Sequence, residues 1–347
     1  MTRTLVAFAV SLCAVAVAPP LWAAPDTDGP STTASSIRLL SDAAAAVRKV
    51  TYRGTIVYLR SGDVDTVRVV HRLHDGTEQE RLVSQSGEAR EVIRKGDEVT
   101  SILPERQLVL ISEHAPKTLL GSVAHFSPEQ LKTYYNVAVE GTTRFAGRTC
   151  RIVSIKPTDD YRYGYRMWVD KQTDLPLKLS LRYDGDRLEQ LMFTDVAFPK
   201  SVPDDAFVSS YDVRGFKVVR HQSVHLADDS AGDEDDDDWH IRNLPPGFRL
   251  AENGVRQVTP DASVRQMLFT DGVATVSAFI APAGLRAPLN GATRMGAVNA
   301  YGNIVGNSQI TVVGEVPAAT AKRIAENLVR AKNAISSAKR EAAAPGS

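Results

Sequence analysis

Near the start of the chain, Ile37, Leu40, Ala44 and Val47 recur at helical spacing, and Ser35 or Ser36 stands where a cap belongs. From Tyr52 the period changes to two. "YRGTIVYL" is β-branched and aromatic, and "VDTVRVVHRLHDGTEQERLVS" predicts two strands around an Asp75-Gly76 turn. "EVTSILPERQLVLIS" continues the meander, with Pro104 at a turn. One helix interrupts it, with Ser127 as cap, Pro128 in the first helical position and Gln130 completing a capping box. Strands resume through "RFAGRTCRIVSIKP", "YGYRMWVDKQTDLPLKLSLRY" and "DRLEQLMFTDVAF". Tyr163, Tyr165, Met167 and Val169 share one face, as do Leu177, Leu179 and Leu181 after the next turn. These segments predict a large antiparallel sheet whose apolar face must be covered by curling or by helices.

Beyond residue 239 the pattern is mixed. "VRQMLFTDGVATVSAFI" predicts a hairpin about Asp271-Gly272, with Ala274, Val276, Ala278 and Ile280 alternating. Ala321, Ile324, Ala325 and Leu328 form a helical stripe, with Lys322, Arg323, Glu326 and Arg330 on other faces. The five glycines of "GATRMGAVNAYGNIVGNSQITVVGEVP" lack the Gly-Lys-Ser/Thr ending of a phosphate loop and punctuate short strands instead.

Charge divides the chain. It carries 41 basic and 41 acidic residues, but Leu226–Asp238 holds eight acids and no base, so the remainder is modestly cationic. Such a block repels itself and buries nothing, which predicts a solvated linker over 221–238. It separates a domain at 31–220 from a smaller one at 239–336, with a frayed tail at 337–347. The cationic remainder suits anionic head groups or an acidic partner and falls short of a nucleic-acid signature. At the other end, Arg3, the apolar run Leu5–Ala18 and the small residues Ala23 and Ala24 predict an export signal over 1–24. The run is shorter than the roughly 20 apolar residues of a membrane span.

Candidate chemistry is sparse. The two cysteines are Cys13, inside the expected signal, and Cys150, which reads as an inert strand residue. His71 and His74 sit three apart on a strand and point to opposite faces, so they cannot chelate together. His221, His225 and His240 beside the acidic tract match no defined metal spacing. Arg162 and Arg166, beside the aromatic strand, could bind phosphate or be ordinary outward residues, and the sequence favours the latter. With no nucleophile, base or metal set assembled, an enzyme is not expected, and no cofactor is implied. Around the interrupting helix, Phe126, Leu131 and Tyr134 are candidates to line a lipid cavity, though core packing explains them as well. Met167 and Trp168 join them as candidates, although neighbours on a strand face opposite ways. In the smaller domain Met267, Phe269 and Phe279 are candidate partner contacts, again with core packing as the alternative.

The stretch from Arg144 to Leu181 resembles the N-terminal domain of the RseB/MucB family. The motifs are Arg144-Phe-Ala-Gly147, Arg162-Tyr-Gly-Tyr165, Trp168-Val-Asp170 and Leu175-Pro-Leu-Lys178. "NLPPGF", "QMLFTDGVATVSAFI" and "ITVVGEVPAATAKRIAENL" resemble the family's C-terminal domain in the same order, and the acidic tract is the departure. The resemblance implies a mainly β protein: a curved, unclosed antiparallel half-barrel, like lipoprotein carriers, plus a smaller α+β domain of sheet and helix. It implies a periplasmic negative regulator of the envelope stress response with no membrane span and no nucleic-acid partner. Such a regulator binds the periplasmic part of a membrane-spanning, RseA/MucA-like anti-sigma factor and shields it from the first proteolytic cut. Lipopolysaccharide or another lipid entering the cavity would release it, and a charged linker would let the domains move. The alternative is a periplasmic lipid or lipoprotein carrier, since fold alone does not decide function.

Overall fold

The structure, a computed structural model, describes residues 33–60, 62–113, 128–221, 239–259, 262–284 and 289–330. The expected signal, the acidic tract from 222 to 238, the tail, Ser127 and Phe126 lie outside these residues.

Helix α1 (Thr33–Lys49) buries Ile37, Leu40, Ala43 and Val47 on one face, the stripe that the spacing predicts. It begins earlier than expected, so Ser35 and Ser36 lie within the helix and Ser36 is buried rather than capping. Period-two patterning then delivers β1 (Tyr52–Arg60), β2 (Asp63–His74), β3 (Thr77–Ser84), β4 (Glu91–Lys95), β5 (Glu98–Leu103) and β6 (Leu108–Glu113). Asp75 and Gly76 both adopt positive φ between β2 and β3, the turn that an Asp-Gly pair favours. A short helix, α2 (Pro128–Tyr134), precedes β7 (Tyr135–Phe145), β8 (Arg148–Pro157), β9 (Gly164–Asp170), β10 (Pro176–Tyr183) and β11 (Asp186–Ala197). The sequence patterns did not reveal β4, most of β7, or β12 (Lys217–His221), which pairs parallel with β6.

These make one open sheet of twelve strands, ordered β12-β6-β5-β4-β3-β2-β1-β11-β10-β9-β8-β7. β7 and β12 are its edges, so it does not close into a barrel. Helices α1 and α2 cover one face, where Leu40, Leu131, Val137, Val153, Ile155, Met167 and Leu181 share a core. The segment after β11 crosses the other face. There the Arg72 guanidinium donates to the Val202 carbonyl and stacks 4.6 Å from the centre of the Phe207 ring.

The smaller domain is a six-stranded antiparallel sheet with one helix. Its strands are β14 (Arg249–Thr259), β15 (Ala262–Thr270), β16 (Thr275–Pro282), β17 (Gly291–Met295), β18 (Val298–Val305) and β19 (Ser308–Gly314), in the order β14-β15-β16-β19-β18-β17. The glycine-rich stretch is thus strands and turns, with positive φ at Gly296 and Gly306. Helix α3 (Ala318–Asn327) packs Ala321 and Ile324 on Val276, Ala278, Ile310 and Val312. It stops one residue short of the helical stripe, because β20 (Leu328–Arg330) turns extended and pairs with β13 (Trp239–Ile241) in a separate two-stranded sheet.

Candidate functional site

Two regions gather buried aromatic and charged side chains: the helix-covered face of the large sheet and the seam where the smaller domain meets it.

On the large sheet the candidates separate. Leu131 and Met167 meet in one core, each almost wholly buried, so in this conformation they are wall rather than open lining. Tyr134 packs against that core from the seam side. Trp168 points away from Met167, as alternation on β9 requires, and lies with the Lys178 ammonium 4.4 Å from the centre of its ring. It is therefore not brought together with Leu131, Tyr134 and Met167. In the smaller domain Met267 and Phe269 are core residues, at 2% and 0% exposure, facing α3. Phe279 alternates with the buried Ala278 and Ile280 and so lies half-buried on the opposite face, beside Gln266 and Thr311. Half-buried Leu268 and Val313 share that face through the Leu268–Ser277–Val313 register. Gly302 belongs to it too. The backbone of Leu289 crosses so closely that a Cβ there would stand 1.9 Å from the Leu289 carbonyl oxygen.

The seam is organised by Arg162, which sequence reading places outward and which the structure buries completely. A buried guanidinium needs its five N–H donors satisfied. Its Nε donates to Asp271 Oδ2 at 2.7 Å, and its other nitrogens donate to the Asp159 carboxylate and the Pro246 carbonyl. The Tyr134 ring lies 4.3 Å away and the Phe248 ring 5.2 Å. Asp271 is also 0% exposed and serves both domains. Its Oδ1 accepts the Val273 and Ala274 amides at 2.9 and 2.7 Å, closing the β15–β16 turn, while Oδ2 faces Arg162. The Tyr135 hydroxyl donates to the same carboxylate at 3.4 Å, and burial, with this charge beside it, holds the phenol well above its ordinary pKa.

Further bonds cross the seam. Glu189 accepts the Ala297 amide at 3.0 Å, and the Tyr163 hydroxyl donates to the Ala297 carbonyl at 2.9 Å. Asn299 donates to Tyr163 Oη at 2.9 Å, and Thr320 donates to the Tyr161 carbonyl at 2.7 Å. Burial, the largest cause, pushes the Tyr163 phenol up to about 12. The domains are thus knitted by buried polar contacts in this conformation. The segments that meet here are "YRYGY", "NLPPGF", the Asp271 turn and the start of α3.

Those segments all fall within stretches that match the models of one family. Residues 35–211 match the model of the MucB/RseB N-terminal domain, and residues 233–329 match the model of the MucB/RseB C-terminal domain. The chain belongs to the MucB/RseB family. It is similar to the sigma factor AlgU regulatory protein MucB of Pseudomonas aeruginosa, at 31% identity over 300 residues, covering 82% of this chain and 88% of that protein. The sigma-E factor regulatory protein RseB of Escherichia coli K12 is 27% identical over 301 residues, covering 86% and 92%. Among solved structures, the P. aeruginosa MucA/MucB complex superposes with a TM-score of 0.67 at 28% identity, over 86% of this chain and 99% of that one. MucB in complex with MucA(peri) gives 0.65 at 27% identity, over 87% and 100%. As a MucB/RseB member, the chain keeps both domains in the family's order. Among the described residues no helix is long and apolar enough to cross a membrane.

Proposed function

We propose that this protein is a periplasmic regulatory binder: it holds the periplasmic part of a membrane-spanning anti-sigma factor, shields it from first-site proteolysis, and lets go when a lipid such as lipopolysaccharide occupies the large domain. The observation that carries this reading is the superposition of nearly the whole described chain on MucB solved together with the periplasmic part of MucA. The half-buried apolar face around Phe279, on which no helix packs among the described residues while α3 covers the other side, supports a docking role for the small sheet. A release mechanism needs a second ligand with unequal affinity for the two states. The large sheet, open at both edges and covered by two helices on one face, offers a place for that ligand. The seam between the domains favours a regulator over a simple carrier, because carrying a lipid does not need a second domain joined through a buried ion pair.

The test is association of the protein with the periplasmic segment of the anti-sigma factor from the same organism, followed by calorimetry with and without lipopolysaccharide. Binding that weakens in the presence of the lipid is the expected result. Lipid retention with no binding to the segment would leave a carrier and sink this reading. Within the same experiment, Phe279→Asp is expected to weaken association by about 30-fold or more while the unfolding temperature stays nearly unchanged, as for a contact residue outside the core. Normal binding by a folded Phe279→Asp protein would remove this face from the interface.

A further inference from the structure

His71 is 0% exposed, yet both of its ring nitrogens face acceptors. Nδ1 lies 2.8 Å from the Val50 carbonyl and must donate to it. Nε2 lies 3.3 Å from Glu78 Oε1. A neutral imidazole has a single N–H, so with Nδ1 donating, its Nε2 would turn a lone pair toward a carboxylate. Only a further proton, on the ring or on the carboxyl, makes the second contact attractive.

The surroundings suit such a proton. The Tyr52 ring stacks on the imidazole at 4.8 Å between centroids, which favours a cation. Glu80 pairs with His71 across β2 and β3 and is 3% exposed, and Arg94 pairs with Glu80 from β4. The titratable and charged groups facing the ring are therefore Tyr52 from β1, Glu78 and Glu80 from β3, and Arg94 beyond Glu80. Helix α1 and β11 contribute Val47, Leu191 and Phe193 to the apolar core that Tyr52 shares.

The Val50 carbonyl is where the chain leaves α1, and the Val50 amide continues the helix by donating to Ala46 at 2.9 Å. We propose that His71 and Glu78 form a proton-dependent clasp that fastens the C-terminal end of α1 to the wall of the large sheet and loosens as pH rises. Because α1 covers the face where a ligand would sit, loosening its end exposes that face. The clasp thus adds a proton-sensitive element to the large domain, independent of any lipid or protein partner.

Glu80 acts in the same direction. Burial pushes its carboxyl from 4.5 up to about 7. A carboxyl raised on folding contributes stability below its unfolded pKa and loses it as pH rises through the folded value, here between about 4.5 and 7.

Two measurements test the clasp, and the first needs no variant. Ring nitrogen shifts of His71 in the native protein should report two N–H groups, or one ring N–H facing a protonated Glu78, at pH 6. A single Nδ1–H opposite an ionised Glu78 at that pH would overturn the proposal. The second is hydrogen exchange at the Val50 amide from pH 6 to 8.5, corrected for intrinsic rates. Protection should fall by about tenfold in the native protein, the loss expected of one such hydrogen bond. It should stay level in Glu78→Gln, whose carboxamide donates to a neutral ring at any pH. Native protection constant within twofold, or a Glu78→Gln protein that loses protection as the native one does, would also overturn it.

Discussion

An Asp271→Ala protein is expected to unfold about 6–20 °C below the native one, the shift that a loss of about 3–5 kcal/mol produces in a protein of this size. The cause lies in what remains. Arg162 stays at 0% exposure with its Nε donor facing the void left by the carboxylate, and the Tyr135 hydroxyl loses its acceptor. The β15–β16 turn loses two acceptor contacts, from Val273 and Ala274. Asp271→Asn separates these effects. The carboxamide oxygen can still accept the turn amides, so its cost reports the charge pairing rather than the turn. Trp168 lies in the large domain and Trp239 in the small one, so their fluorescence can follow each domain in turn. The expected signature is one cooperative transition in the native protein and two in Asp271→Ala, because the lost charge pairing is the buried ion pair among the contacts that couple the domains. An Asp271→Ala transition within about 2 °C of native and still single would show that the ion pair is replaceable and that the seam depends on its neutral hydrogen bonds.

Much of the fold is written in local patterns, and the seam is not. The alternation through β1–β3, β5, β6 and β8–β11 predicts strands because period two is a property of consecutive residues. The Asp75-Gly76 turn is legible because the chemistry of positive φ sits in two adjacent side chains. β12 is short, and its parallel pairing with β6 joins segments that no turn connects, so nothing local announces it. Arg162 is the clearest case. Between two tyrosines near a strand end it reads as an outward cation, and its buried partner lies 109 residues later in the sequence. Asp271 in turn reads as half of an Asp-Gly turn, which it is, and that local role hides the second oxygen that faces Arg162. Phe279 shows the opposite. The alternation of Ala278 and Ile280 already assigns it to the far face, so its distinction from Met267 and Phe269 was available in the sequence.

The same geometry makes Gly247 intolerant of any side chain. It has φ +78, where an L-residue is strained by about 1–2 kcal/mol. A Cβ there would also stand 2.3 Å from Tyr134 Cε2 and 2.8 Å from Arg162 Nη2. Neither neighbour can withdraw freely. Tyr134 is stacked on the guanidinium, and Arg162 is tied to Asp159, Asp271 and the Pro246 carbonyl. Overpacking of this kind costs about 1–3 kcal/mol, so Gly247→Ala is expected to destabilise by about 2–5 kcal/mol in total. Gly306 supplies the control. It also has positive φ, at +59, but nothing lies within 4 Å of a Cβ built there, so Gly306→Ala bears the strain without the collision. Denaturant titration of both variants should therefore place Gly247→Ala well below Gly306→Ala in midpoint. Small-angle scattering should show an expanded particle for Gly247→Ala alone, since the collision pushes apart Tyr134 and Arg162 of the large domain from the "NLPPGF" segment of the small one. Equal midpoints and equal radii would mean that the seam yields at Gly247 without opening. In that case the packing of Tyr134 and Phe248 on Arg162 would be looser than their 4.3 and 5.2 Å separations imply.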